Sequence, residues 1–306
     1  MVLAVRLAFR GQTVPSYAMG VAMVVGSGVV FSFTPLLFRA VDRATDWQFL
    51  TMRGAGTALA AALIMTARRR HRPVRRAAFN WQTLLASLLM ASMSSLYILA
   101  LARTSTALIA FLQSAGPFSG ALFGWLLLRE PVQARTWLAM AVAAIGIAIM
   151  VGGGFDAGSV VGVLLALAIP GVLGLYNVMI KLAPERDPVV PPLVGGTVLC
   201  VVAAIVAVTG DGLAMSVRDA VIGFAAGLVL LGIGMPMFNL GHVSVPAAQV
   251  PLLLMTEIVL APLWVWIWPG EVPRTPTVVG GAIVLSAVVF LAAAGLRGRR
   301  FWPARR

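Results

Sequence analysis

Residues 107–130 read ALIAFLQSAGPFSGALFGWLLLRE and residues 248–271 read AQVPLLLMTEIVLAPLWVWIWPGE. A shift of 141 positions lays the first stretch on the second without a gap and carries the match on to 148 and 289. Ala107 falls on Ala248, Leu112 on Leu253, Leu122 on Leu263, Trp125 on Trp266, Glu130 on Glu271, Thr136 on Thr277 and Ala141 on Ala282. The Ala and Leu pairs follow from composition alone. The Trp-then-Glu close of a long apolar run, followed by a Pro-containing turn and a second apolar run, is a more specific signal, and it marks an internal duplication.

Outside these two stretches the chain is equally apolar. Of 306 residues 60% are hydrophobic and 11% charged, with a mean hydropathy of +0.97. A water-soluble domain needs roughly a quarter charged residues to coat its core, so both a soluble enzyme and a disordered chain are excluded. Apolar runs of helix length fall near 17–38, 47–66, 80–101, 106–128, 133–151, 158–180, 189–209, 220–240, 246–268 and 276–296. At about 1.5 Å per residue each can cross a hydrocarbon layer of about 30 Å. Their interiors lack strand-like alternation, and open sheets cannot satisfy their backbone groups in lipid. The reading is an all-α integral membrane protein of ten transmembrane helices.

The duplication groups these runs into two five-helix repeats, 1–151 and 152–306, the second ending in a basic tail. Five is odd, so the second copy enters the membrane from the opposite side. Inverted copies can adopt two asymmetric arrangements of similar energy, each open to one face, with a site between them exposed alternately. A carrier needs two such arrangements, whereas an enzyme needs one.

The net charge of +13, from 23 Lys and Arg against 10 Asp and Glu, would suggest nucleic acid as a partner of a soluble protein. In a membrane protein it reports orientation instead. With the N-terminus inside, the cytoplasmic segments hold Arg6, Arg10, the Arg-rich loop 68–76, Arg129, Arg135, Lys181, Arg186 and the Arg-rich tail. The other side holds Arg39, Arg43, Arg103, Arg218 and Arg274. This bias puts both termini in the cytoplasm. The basic loop and tail are read as contacts for anionic lipid headgroups rather than nucleic acid. The first apolar run lacks a small-residue cleavage site and is read as a retained helix.

The motif around the first copy resembles a known family. Tyr97 with Ala100 and Leu101, then Gly116-Pro117-Phe118-Ser119-Gly120-Ala121-Leu122 and Trp125, then Leu128-Arg129-Glu130-Pro131, resembles the EamA-type half of the drug/metabolite transporter superfamily. The second half carries the pattern more loosely through Gln249, Glu257, Pro262, Trp266 and Glu271, with Ile258 where relatives frequently have Pro. The resemblance implies ten helices as two inverted repeats, cytoplasmic termini and, for bacterial members, export of small solutes that include aromatic and other amino acids.

Polar side chains at membrane depth are the candidate site. Glu257 lies near the middle of the ninth run, where a carboxylate costs several kcal/mol unless protonated, paired or hydrated. It reads as a substrate-amine contact, a proton site, or a neutral hydrogen-bonded packing residue. Arg53, about 10 Å along the second run, either snorkels to the interface or contacts an anionic group such as a substrate carboxylate. Tyr97, Gln113, Asn177, Asn239 and Gln249 offer neutral donors and acceptors; each is either an interhelical hydrogen bond or a substrate contact. Ser94 shares a helical face with Tyr97, and Met235 with Asn239. Glu130 and Glu271, at helix ends, read as caps and charge partners. The Trp264, Trp266 and Trp268 cluster reads as an interfacial belt. Gly28, Pro117, Pro170, Pro236 and Pro251 interrupt the apolar runs and are the expected hinges.

Absences narrow the choice. No zinc-protease, P-loop or nucleophile-elbow signature occurs, and His71 and His242 have no nucleophile nearby in sequence. The lone Cys200 can form no internal disulfide and belongs to no metal cluster. No cofactor or metal is expected. The sequence therefore reads as a secondary transporter of the bacterial cytoplasmic (inner) membrane, a monomer or weak homo-oligomer in contact with lipid. Its expected activity is export of small metabolites, amino acids first, by alternating access. The alternative is an intramembrane enzyme acting on a lipid or peptide, motivated by Glu257 and Arg53.

Overall fold

The structure, a computed structural model, describes residues 15–68, 79–128, 134–152, 159–182, 187–210, 212–245 and 250–298. Every regular element among them is a helix. The order is α1 (Tyr17–Ser32), α2 (Thr34–Arg39), α3 (Asp46–Arg68), α4 (Trp81–Leu101), α5 (Thr106–Gln113), α6 (Gly116–Leu128), α7 (Ala134–Gly152) and α8 (Ser159–Leu182). There follow α9 (Val190–Thr209), α10 (Val217–Ala225), a π-helical turn (Ala226–Leu231), α11 (Gly234–Ser244), α12 (Val250–Leu253), α13 (Met255–Ile267) and α14 (Thr275–Gly298).

Polar residues at the boundaries set where these helices start. Ser16, Asn80, Ser105 and Ser216 each accept a hydrogen bond from a backbone N–H in the first turn, that of Met19, Thr83, Leu108 and Asp219 respectively. Pro35, Pro191 and Pro192 sit in first turns, where a missing N–H costs nothing.

Seven stretches among the described residues are long and apolar enough to cross a membrane: Tyr17–Arg39, Asp46–Arg68, Trp81–Leu101, Thr106–Leu127, Val160–Ile180, Val190–Thr209 and Val217–Gly241. Shorter apolar helices, Trp137–Ile149, Met255–Ile267 and Thr275–Ala287, lie where the fifth, ninth and tenth runs were expected. The outward faces of the long helices are apolar too, with Leu164 of α8 and Val201, Ile205 and Val208 of α9 among the exposed side chains. Such a surface suits lipid, not water.

Two cores, one around Phe49, Ile98, Leu101 and Ile109 and the other around Val24, Met90, Tyr176 and Phe238, draw on both halves of the chain. The packing partners come in matched pairs. α1 packs on α11 and α13, while α8 packs on α4 and α6; α3 packs on α9 and α10, while α9 packs on α4; α5 meets α13 and α7 meets α14. Backbones approach closely at small residues. A Cβ placed on Gly54 would collide with the backbone of Cys200, and one on Gly146 would stand 2.7 Å from the carbonyl oxygen of Gly280.

Three of the seven membrane-length segments are interrupted, at Phe33, at Ser114–Ala115 and at Gly232–Ile233, and a fourth break, at Leu254, separates α12 from α13. A shift of 141 positions brings Gln113 onto Leu254, so the second and fourth interruptions fall within two residues of each other under that shift. Pro117, Pro236 and Pro251 lie within three residues of an interruption. Gly28 does not: it lies inside α1, whose helix runs on unbroken to Ser32, and a Cβ built on it would stand at ordinary van der Waals distance, 3.5 Å, from the backbone nitrogen of Glu257. Pro170 lies inside α8, which continues through it as one helix, with the Ser119 hydroxyl donating to its carbonyl at 2.5 Å.

Candidate functional site

The interruptions surround a cavity. It takes in about 670 Å³ of atom-free space, part of it open to the outside. Its walls are Phe31 (α1), Thr34 (α2), Arg53 (α3), Met90, Met93, Ser94 and Tyr97 (α4), Gln113 (α5), Ile169 and Leu173 (α8), Leu231 (the π turn), Met235 and Phe238 (α11), Leu254, and Glu257 (α13). Most of this wall is apolar, and both halves of the chain contribute to it.

Four of the sequence-derived site residues meet here: Tyr97, Gln113, Glu257 and Arg53. The mechanism that brings each of them in is local. Gln113 is the last residue of α5, placed on the cavity by the break that follows it. Glu257 lies in the first turn of α13, just past the break at Leu254. Tyr97 and Ser94 share one face of α4, as their spacing requires. Arg53 is 3% exposed and lines the cavity, so it does not snorkel to a membrane surface. Its backbone is pinned. The Thr57 hydroxyl bonds to the Arg53 carbonyl at 2.8 Å and lies 3.2 Å from that of Gly227, and a Cβ on Gly227 would strike the Arg53 carbonyl oxygen. The wide turn at Ala226–Leu231, closed by the Gly232 N–H on the Gly227 carbonyl at 2.8 Å, makes that approach and presents Leu231 to the cavity.

The remaining candidates lie elsewhere. Asn239 is buried in a structural bond set: it accepts from the Tyr176 hydroxyl at 2.8 Å and donates to the Pro188 carbonyl at 3.1 Å. Met235, its neighbour on the same face, does reach the cavity. Asn177 lies on α8 away from the cavity wall, its buried Oδ1 without a hydrogen-bond partner. Gln249, Glu130, His71, the basic loop beyond Arg68 and the tail from residue 299 lie outside the described residues.

One end of the bundle, carrying the turns at 40–45, 102–105, 212–216 and 268–274 and here called the distal end, is clamped by polar side chains. Glu271 accepts from Arg39 Nε at 3.2 Å, from the Thr106 N–H at 2.5 Å and from the Thr106 hydroxyl at 3.2 Å. Arg39 also donates to the Thr104 carbonyl at 3.1 Å. Asp219, fully buried, accepts from the backbone N–H groups of Asp42, Arg43 and Ala44 at 3.0–3.1 Å. Gln48 donates to the Gly212 and Ala214 carbonyls, Arg103 pairs with Asp46 at 2.9 Å, and Arg218 pairs with Asp42. Trp264 turns inward rather than joining an interfacial belt, stacking on Phe33 at 5.1 Å and donating to the Ser32 hydroxyl at 3.0 Å. Trp266 and Trp268 are exposed.

The apolar wall and the Asp219 clamp were missed in the sequence. Asp219 had a usable signal, since Ser216-x-x-Asp219 is a capping-box spacing. The wall residues had none, because Phe, Met and Leu look alike whether they face lipid, core or cavity.

Among the described residues no group of three or more His, Cys, Asp and Glu side chains could hold a metal ion. No curated protein matches the chain. A solved structure titled "Crystal structure of protein" superposes with a TM-score of 0.69 over 94% of this chain and 99% of its own, at 15% identity, which establishes a shared fold. The model of the EamA-like transporter family matches residues 18–152, the stretch that holds α1 to α7 and the cavity-facing Arg53, Tyr97 and Gln113. Residues 18–152 thus carry an EamA-like transporter family domain, the kind of domain found in membrane transporters of small solutes.

Proposed function

We propose that the protein is a secondary carrier that exports amino acids across the bacterial cytoplasmic membrane by alternating access, with both termini in the cytoplasm. The observation that carries this reading is the central cavity walled by both halves of the chain. Matched packing pairs and the similarly placed interruptions at Ser114–Ala115 and Leu254 support two inverted repeats, 1–151 and 152–306. In that arrangement the distal clamp closes one route to the cavity, and exchanging the conformations of the two halves opens it while closing the other. The interruptions at Phe33, Ser114–Ala115, Gly232–Ile233 and Leu254 are the hinges, since broken helices absorb the backbone change at the cavity wall.

Within the cavity Glu257 receives the substrate amine, while Tyr97 and Gln113 supply neutral hydrogen bonds and the Met, Leu and Phe wall takes an apolar side chain. Purified protein in proteoliposomes, assayed with a panel of labelled amino acids, tests the proposal. Saturable flux of neutral, apolar amino acids is expected. Uniform absence of saturable flux across the panel sinks it.

A further inference from the structure

The cavity holds more hydrogen-bond donors than its own walls use. Arg53 is 3% exposed, and its Nε and Nη1 make no hydrogen bond; Ser94 is 5% exposed, and its hydroxyl has no partner either. Both residues line the cavity. Elsewhere in the same helices comparable groups are matched. Thr57, one turn along α3 from Arg53, donates to a backbone carbonyl at 2.8 Å, and Ser87, on α4 like Ser94, does the same at 2.8 Å. The two orphaned groups are therefore buried, unpaired atoms of residues that line the cavity, not the sign of a general lack of acceptors in these helices.

An unpaired guanidinium at this depth is strongly unfavourable, and its natural complement is an anion. Glu257 lines the same cavity and offsets part of the Arg53 charge at a distance, but forms no contact ion pair with it, so Arg53 Nε and Nη1 stay without an acceptor. A carboxylate fits: it is planar, accepts several hydrogen bonds and pairs with guanidinium in charge and shape. The surrounding Met90, Met93 and Phe31 exclude a large hydrated anion by their apolar character.

We propose that Arg53 and Ser94 form an anion subsite that receives the carboxylate of the transported solute and so rejects amines that lack one. This rests on the carrier reading of the cavity and deepens it. The solute lies with its carboxylate on the α3 and α4 wall and its cationic end toward Glu257 on α13. Arg53 is thereby a specificity-determining residue, held in place by Thr57 and Gly227.

Three probes with one ring test the subsite: L-phenylalanine, 3-phenylpropionate and 2-phenylethylamine. Binding is read as the shift in melting temperature of the purified full-length protein in detergent, and transport as competition with labelled phenylalanine in proteoliposomes. The two carboxylates are expected to bind at least about tenfold more tightly than the amine. Arg53→Gln removes that preference, Arg53→Lys restores part of it, and Ser94→Ala reduces it severalfold. Equal binding of phenylethylamine and phenylalanine to the unmodified protein overturns the subsite, as does a preference that survives Arg53→Gln. Should Arg53→Gln fail to fold, the ratio in the unmodified protein and its change in Ser94→Ala decide the matter. Saturable flux without carboxylate preference leaves the carrier standing and removes the subsite. Carboxylate-dependent binding without flux does the reverse, and the absence of both removes both.

Discussion

Glu271 and Glu257 follow one another along the same stretch of chain, and the protein treats them in opposite ways. Glu271, at the distal clamp, is surrounded by donors from Arg39 and Thr106. Glu257, in the cavity, faces Arg53 without pairing with it. The same contrast holds for the other charged groups. Asp219 collects three backbone N–H groups, whereas two nitrogens of Arg53 have none. A polar group matched within the protein contributes to stability, and one left unmatched at membrane depth subtracts from it. Unmatched groups gathered around a cavity are therefore the ones a ligand can satisfy. The clamp should govern folding and closure, and the cavity should govern selection.

The strongest way to break that division is at Asp219. Asp219→Ala leaves three N–H groups of the 42–44 turn without their acceptor, and unfolding free energy should fall by about 3 kcal/mol even if water reaches some of them. Thermal unfolding in detergent measures this. Asp219→Asn keeps one acceptor oxygen and should fall between the two. A loss below about 1 kcal/mol for the alanine variant would mean that the clamp does not carry the stability assigned to it.

Glu271 sharpens the comparison at intermediate size. Glu271→Ala removes one partly exposed ion pair and the acceptor for Thr106, and should cost about 2 kcal/mol. Only part of this belongs to Arg39, because the pair is screened by solvent. A double-mutant cycle with Arg39→Ala should return a coupling of about 1 kcal/mol. Additive effects would show that Glu271 acts through Thr106 alone.

A smaller effect is expected at Gly270. Its φ of +75° turns the chain out of α13 so that the Glu271 N–H reaches the Val265 carbonyl at 3.0 Å. No atom lies within contact of a Cβ there, so Gly270→Ala is opposed by backbone strain alone, at about 1 kcal/mol. A larger loss in thermal unfolding would point to a steric role that the open space around the residue contradicts.

How far these regions could be read from sequence follows the same physics. Apolar runs of helix length announce themselves, because lipid leaves the backbone few options. Charged residues inside such runs also stand out, which is why Arg53 and Glu257 were found and why both reached the cavity. The amides were less legible. Asn239 and Gln113 are chemically similar, yet one is consumed by Tyr176 and Pro188 while the other ends α5 at the cavity, a difference set by helix rotation and breaks. Gly and Pro were ambiguous for a related reason. Gly28 sits inside α1 without breaking it, where a Cβ would also fit, and Pro170 is accommodated inside α8, so neither residue type fixes an interruption by itself.

The smallest stability effect, and the largest functional one, is expected at Glu257. Glu257→Gln removes a charge from the cavity wall while keeping the size and one acceptor oxygen of the side chain. Because no donor among the described residues bonds to that carboxylate, unfolding free energy should stay within about 0.5 kcal/mol of the unmodified protein or rise, the reverse of the Glu271 result. Flux of a labelled apolar amino acid should nevertheless fall at least about tenfold, since the substrate amine loses its charge-assisted partner on the cavity wall. The two measurements belong together. A variant that unfolds easily and loses flux would make Glu257 a packing residue like Glu271, and the difference between clamp and cavity would disappear. Intact stability with lost flux would separate the group that holds the bundle from the group that selects what passes through it.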